Sequence, residues 1–170
     1  GLITSAPSSL GLTSGLVGYW TFDNKDIYST TALDRSGSSP ANTGTITGAT
    51  KTAGKLGQAL SFDGSTNYLY STNSFSSPQD FTISIWFKTT VASGRKMIGF
   101  ENGQYDTTST SYDRHIYIGT DGKIYFGWYS GSAELAVSLG TYNDGKWHHA
   151  VGTHNSSGIG NLYIDGVFQA

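Results

Sequence analysis

Alternation with a period of two is the feature of this sequence that most limits its fold. In FTISIWFK (81–88), Phe81, Ile83, Ile85 and Phe87 fall on one face, and Thr82, Ser84, Trp86 and Lys88 on the other. That is the pattern of a half-buried β-strand. Further short runs at 16–22, 59–62, 68–71, 96–100, 115–119, 123–129, 135–139, 147–153 and 162–165 predict more strands. No stretch longer than about ten residues carries the helical apolar period. Asp-Gly pairs stand at 63–64, 121–122, 144–145 and 165–166. Each suits a type I′ hairpin turn, which needs positive φ at both central residues. The pair at 121–122, between HIYIGT and KIYFGWY, predicts the clearest hairpin. Strands at this spacing predict an all-β fold, an antiparallel two-sheet sandwich or jelly roll.

Composition closes off the alternatives. Gly, Ser and Thr number 23, 23 and 21 of 170 residues, while Glu, Met and Lys number only two, one and seven. A helical bundle lacks its usual residues, and the 14% aromatic content supplies a core that a disordered chain would not have. The net charge is −2 with no basic tract, so nucleic acid is not an expected partner. No apolar run is long enough for a membrane-spanning helix. Cys is absent, which excludes disulfides, thiolate metal sites and a cysteine nucleophile. Abundant Gly, Ser, Thr and Tyr with little Lys or Glu suits an extracellular or cell-surface protein. Residues 1–15 (GLITSAPSSLGLTSG) read as a linker, or, given Leu2, Ile3, Leu10 and Leu12, as a docking or donor segment. Residues 16–170 read as one domain.

Few residues point to catalysis. Glycoside hydrolysis in its common form needs two carboxyl groups about one sugar bond. The two glutamates, Glu101 and Glu134, share no strand motif, and half of the ten aspartates sit beside Gly or Asn, where turns use them. His148 and His149 are neighbours and face opposite ways on a strand. No Gly-x-Ser-x-Gly turn accompanies any histidine. Calcium, which takes hard oxygen ligands, is the more fitting cofactor for Asp23-Asn24-Lys25-Asp26 and Asp34-Arg35-Ser36-Gly37, with plain turns as the competing reading.

Aromatic residues carry the remaining signal. Tyr105, Tyr112, Tyr117 and Tyr129 lie in or near the 101–114 loop and the following hairpin. Exposed rings can stack on the apolar faces of sugars while polar groups such as Arg114 bond the hydroxyls. Alternation turns Ile116 and Ile118 inward, which leaves His115 and Tyr117 outside. In KIYFGWY it turns Tyr125, Gly127 and Tyr129 outward. The competing reading is that these rings fill the core.

Several segments, taken in order, resemble one family. They are GLVGYWTFD (15–23), ALDRSG (32–37), GKLGQALSFDGSTNYL (54–69), FTISIWFK (81–88), YNDGKWHHAVGT (142–153) and LYIDG (162–166). Together they are similar to the laminin-G-like, concanavalin-A-like jelly-roll domains of secreted bacterial and archaeal proteins. The resemblance implies two antiparallel sheets, a mostly non-catalytic binding role, and a structural calcium at Asp23 and the Asp63-Gly64 turn, with Asp34 as a second candidate. Glucanases of this fold carry a Glu-rich strand motif that is missing here. Such domains usually run on past the LYIDG strand, so the chain reads as lacking a last strand whose place the 1–15 segment of the same or another copy would fill. Two functions follow as expectations. The first is a non-enzymatic extracellular module that binds a glycan or cell-surface ligand. The second is a structural subunit of a filament or surface assembly, completed by strand exchange between copies or by the rest of a longer chain.

Overall fold

The computed structural model describes residues 14–71, 73–75, 78–103, 109–110 and 112–170, with Tyr112 described in its backbone only. The 1–15 segment, read as a linker or donor strand, lies almost entirely outside them. The fold is all-β with antiparallel pairing throughout. The described chain divides into two compact units, one ending at Ser74 and one beginning at Phe75.

In the first unit a single 3-10 turn, Asn24–Asp26, leads into β1 (Ile27–Tyr28), β2 (Thr31–Ala32), β3 (Gly44–Thr47), β4 (Thr50–Ala53), β5 (Gln58–Ser61) and β6 (Tyr68–Tyr70). One sheet has the order β1-β2-β3-β6, and β4 and β5 form a separate ribbon. Ile27, Ala32 and Ile46 are its buried centre, with Trp20, Phe22, Leu60 and Leu69 packed around them. The predicted strand at 16–22 is a correction: no ladder includes it. Its polar groups instead bond the 34–42 segment. The Tyr19 amide donates to Asp34 Oδ1 at 2.9 Å, the Tyr19 carbonyl accepts from the Arg35 amide, and the Trp20 indole donates to the Asn42 carbonyl at 2.9 Å.

The second unit is a sandwich of two four-stranded sheets. Its strands are β7 (Phe81–Lys88), β8 (Arg95–Glu101), β9 (Tyr112–Ile118), β10 (Lys123–Tyr129), β11 (Ala133–Thr141), β12 (Trp147–His154), β13 (Gly160–Ile164) and β14 (Val167–Phe168). The sheet orders are β11-β10-β9-β8 and β14-β13-β12-β7. Inward residues of both sheets, among them Ile83, Phe87, Ile116, Ile124, Phe126, Leu162 and Ile164, make one continuous core. The alternation of 81–88 survives intact, since Thr82, Ser84, Trp86 and Lys88 are the exposed set.

The Asp-Gly turns divide by geometry. At 165–166 both residues have positive φ (53° and 79°), which makes the two-residue type I′ loop between β13 and β14. At 121–122 only Gly122 does (78°), and the Gly122 amide returns to the Gly119 carbonyl. That hairpin is therefore a longer loop closed by a left-handed glycine rather than type I′.

Two of these turns meet at His148. Its Nδ1 lies 2.7 Å from Asp165 Oδ2 and its Nε2 lies 3.0 Å from Asp144 Oδ1, and Tyr142 packs edge-on at 4.9 Å. Burial opposes charge on the imidazole, but bonds and charge from Asp165 and Asp144 outweigh it and raise the pKa above 6.5. A raised folded-state pKa contributes stability that is complete below the unfolded value and fades as pH climbs through the folded one. Asp34, Asp63 and Asp144 are held below the ordinary carboxylate range, chiefly by hydrogen bonds that outweigh burial. Their contribution is present above about pH 4 and is lost as pH falls. Urea midpoints across pH should therefore peak between these limits, and His148→Gln should flatten the alkaline side, with a smaller loss on the acid side because His148 also helps hold Asp144 and Asp165 down. An unchanged alkaline slope in that variant would contradict the arrangement.

Candidate functional site

The outward face of the β8–β11 sheet carries the most organised surface of the second unit. Ile116 and Ile118 turn inward, so His115 and Tyr117 stand outside. Register places Tyr117 between Tyr125 on β10 and Lys96 on β8. The Tyr117 and Tyr125 rings stack at 4.8 Å and 14°, and the His115 ring lies 5.3 Å from Tyr117. The Tyr125 hydroxyl donates to Asp121 Oδ2 at 2.9 Å, which fixes the outer ring of this ladder.

Beside the ladder, Lys96 Nζ meets Glu101 Oε1 at 2.6 Å, with each side chain about one-third exposed (35% and 34%). Both come from β8, whose ladder to β9 is interrupted by register shifts between Lys96 and Ile98 and between Ile98 and Phe100. The shifts break strict alternation along β8. Gly94, Lys96, Glu101, His115 and Tyr117 line a shallow depression of about 400 Å³. Burial, aided by the Lys96 charge, pushes the His115 pKa down, so its ring is neutral at pH 7. His115 Nδ1 is buried without a hydrogen-bond partner. Burial and the Asp121 charge push the Tyr117 hydroxyl up, so it too stays protonated. The depression thus offers an aromatic face, a neutral imidazole, and an ammonium and a carboxylate side by side.

The expected ligand-binding residues separate in space. His115 and Tyr117 line the depression. Tyr129, 59% exposed, sits at the far end of β10 and lines a different cavity. Arg114 differs from expectation. It shares the parity of Ile116 and Ile118, is 8% exposed, and runs inward beneath the Phe81 ring. Its Nε and Nη2 donate to the Pro78 carbonyl at 3.2 and 3.0 Å, and Nη1 pairs with Asp113. It ties the strand to the segment before β7. Tyr105 and the Tyr112 side chain lie outside the described residues. Lys96 is the contributor that sequence reasoning missed, because only the β8–β9 pairing brings it to Tyr117.

The carboxylates read as calcium ligands hold loops. Asp34 accepts five hydrogen bonds, from the Tyr19, Ser36 and Asn42 amides and the Ser36 and Ser38 hydroxyls, at 2.8–2.9 Å. Asp63 accepts four, from the Ser65, Thr66 and Asn67 amides and the Thr66 hydroxyl, and so organises the turn through Gly64. Asp23 takes the Gln58 amide at 3.0 Å. Among the described residues no three acidic or histidine side chains gather as a metal site. Calcium asks for at least six oxygen ligands about one centre, and the Asp34 and Asp63 oxygens here accept hydrogen bonds from their own loops.

Glu101 and Glu134 stand on β8 and β11, the opposite edges of a four-stranded sheet. Three strand spacings, about 14 Å, separate those strands. Each acid is held at its own edge, Glu101 by Lys96 and Glu134 by the Ser132 hydroxyl at 2.8 Å. The depression therefore contains one carboxylate, already paired.

A laminin G family model described as the concanavalin A-like lectin/glucanases superfamily matches residues 63–170, which include the whole second unit. The chain belongs to that superfamily. No curated protein and no solved structure matches it. The two sheets and shared core of the second unit are those of a concanavalin A-like jelly-roll sandwich. The superfamily's description spans sugar-binding lectins and sugar-cleaving glucanases, so the residues of the site have to decide between binding and cleavage.

Proposed function

We propose that this concanavalin A-like chain is a non-catalytic carbohydrate-binding module whose contact surface is the depression at Lys96, Glu101, His115 and Tyr117. The observation that carries the reading is the partly exposed Lys96–Glu101 pair beside an outward tyrosine ladder. A sugar ring presents an apolar face and adjacent hydroxyls, each both donor and acceptor. Tyr117 meets the first by stacking. The ammonium and carboxylate, one a donor and the other an acceptor, meet the second with charge-assisted bonds. A neutral His115 adds a polar nitrogen without adding charge. One paired carboxylate supports binding rather than hydrolysis, which asks for two. An extracellular or cell-surface setting belongs to this reading and is supported by the Cys-free, Gly/Ser/Thr-rich composition.

The test is a glycan array read with the wild type, Tyr117→Ala and Lys96→Ala. Tyr117→Ala should weaken binding by about tenfold or more, from lost stacking and lost apolar contact. Lys96→Ala should weaken it less, because water competes for a partly exposed pair. Undiminished binding by Tyr117→Ala, or no bound glycan on the array, would contradict the proposal.

A further inference from the structure

We propose that the bound carbohydrate is a chain rather than a single ring, and that its farther rings reach a second contact at Tyr129. The inference rests on the carbohydrate reading of the Tyr117 depression and extends it to the kind of glycan recognised. Tyr125, Gly127 and Tyr129 share the outward face of β10, and Tyr125 stacks on Tyr117. From Tyr125 to Tyr129 is four residues of antiparallel strand, about 13 Å. A lone sugar ring at Tyr117 cannot reach both.

The surface between them suits a ligand lying along it. Gly127 has no side chain, and the His115 ring and Leu135 come within about 3 Å of where one would begin. The His115 ring and the Leu135 side chain therefore cover Gly127 and form the floor between the two aromatic ends of the row. Leu135 is 53% exposed, so this floor is accessible and largely apolar. Beyond it Tyr129 borders a cavity of about 690 Å³, whose lining among the described residues includes Ser130, Ser156 and Ser157 and no charged residue. An exposed tyrosine ring beside small hydroxyl side chains suits an uncharged sugar ring. The Asp113 and Asp80 carboxylates near this end accept the Tyr129 and Ser156 amides at 3.0 and 2.9 Å, so they disfavour an anionic ring there. The ligand class is thus a linear oligosaccharide, neutral where it meets Tyr129.

The experiment is a titration series on an array of neutral hexose, pentose and acetamido-sugar glycans. Each bound sugar is represented as monosaccharide, disaccharide and longer chain, and the proteins are the wild type, Tyr129→Ala and Tyr117→Ala. Chain length should raise wild-type affinity by about tenfold over the disaccharide. Tyr129→Ala should remove that gain and leave disaccharide binding unchanged, with its urea midpoint near the wild type. Equal affinity for short and long members, or a Tyr129→Ala protein that still gains from length, overturns the chain proposal while the Tyr117 site stands. Failure of Tyr117→Ala to weaken any glycan, or no binding at all, overturns both.

Discussion

Replacing Phe126 with Ala should remove about 3–5 kcal/mol of stability, the range for an aromatic residue lost from a closed core. Phe126 is wholly buried at the centre of the second unit, 6.0 Å from the Phe81 ring and 5.2 Å from the Trp128 ring. It lies over Gly152 of β12, where any side chain would run into it. The two positions are therefore coupled across the sandwich. Gly152→Ala alone should cost about 1–3 kcal/mol by overpacking. The pair Phe126→Leu with Gly152→Ala should cost less than the sum of its singles. Urea denaturation of Gly152→Ala, Phe126→Leu and the double variant measures this. A Gly152→Ala protein as stable as the wild type would mean that Phe126 does not cover β12.

Asp34→Ala should destabilise the first unit by about 2–3 kcal/mol after allowing for its partial exposure to solvent. Its carboxylate gathers donors from residues 19, 36, 38 and 42, and so joins the 16–22 segment to the loop that returns to β3. Asp34→Asn should rescue little of this. The amide oxygen can still accept from the Tyr19 and Ser36 amides, but the new NH2 would face the fixed Asn42 N–H, donor against donor. Hydrogen exchange at the Tyr19 and Asn42 amides should accelerate in both variants. Wild-type protection in Asp34→Asn would contradict the charge-assisted cradle.

The sequence shows the second unit more plainly than the first, for a physical reason. Its strands each bury one face, so 81–88, 115–119 and 123–129 carry clean alternation, and the outward positions of His115, Tyr117, Tyr125 and Tyr129 follow from parity. Arg114 breaks the expectation because its type suggests ligand chemistry while its parity matches Ile116. Parity wins, since its charge is satisfied at the end of the core by Asp113 and the Pro78 carbonyl. The β3 and β4 strands, in a Thr- and Gly-rich stretch without regular apolar spacing, leave no such mark. The 16–22 run alternates like a strand, yet side chains and amides of the 34–42 loop take the bonds a neighbouring strand would have made. Half of the candidate site was likewise out of reach. Lys96 meets Tyr117 only through non-local pairing across a strand with two register shifts, and no local pattern encodes that. The acidic turns stay ambiguous in sequence because a carboxylate that accepts its own loop's amides has the same signature as one that binds a cation.

Nuclear magnetic resonance mapping with the glycan that binds best on the array is the most direct test of sugar recognition by this face. The backbone and side-chain signals of Lys96, His115 and Tyr117 should shift on titration, and mass spectrometry should find the glycan uncut after prolonged incubation. Shifts confined to the opposite sheet, around Trp86 and His149, or a cleaved glycan, would contradict the account.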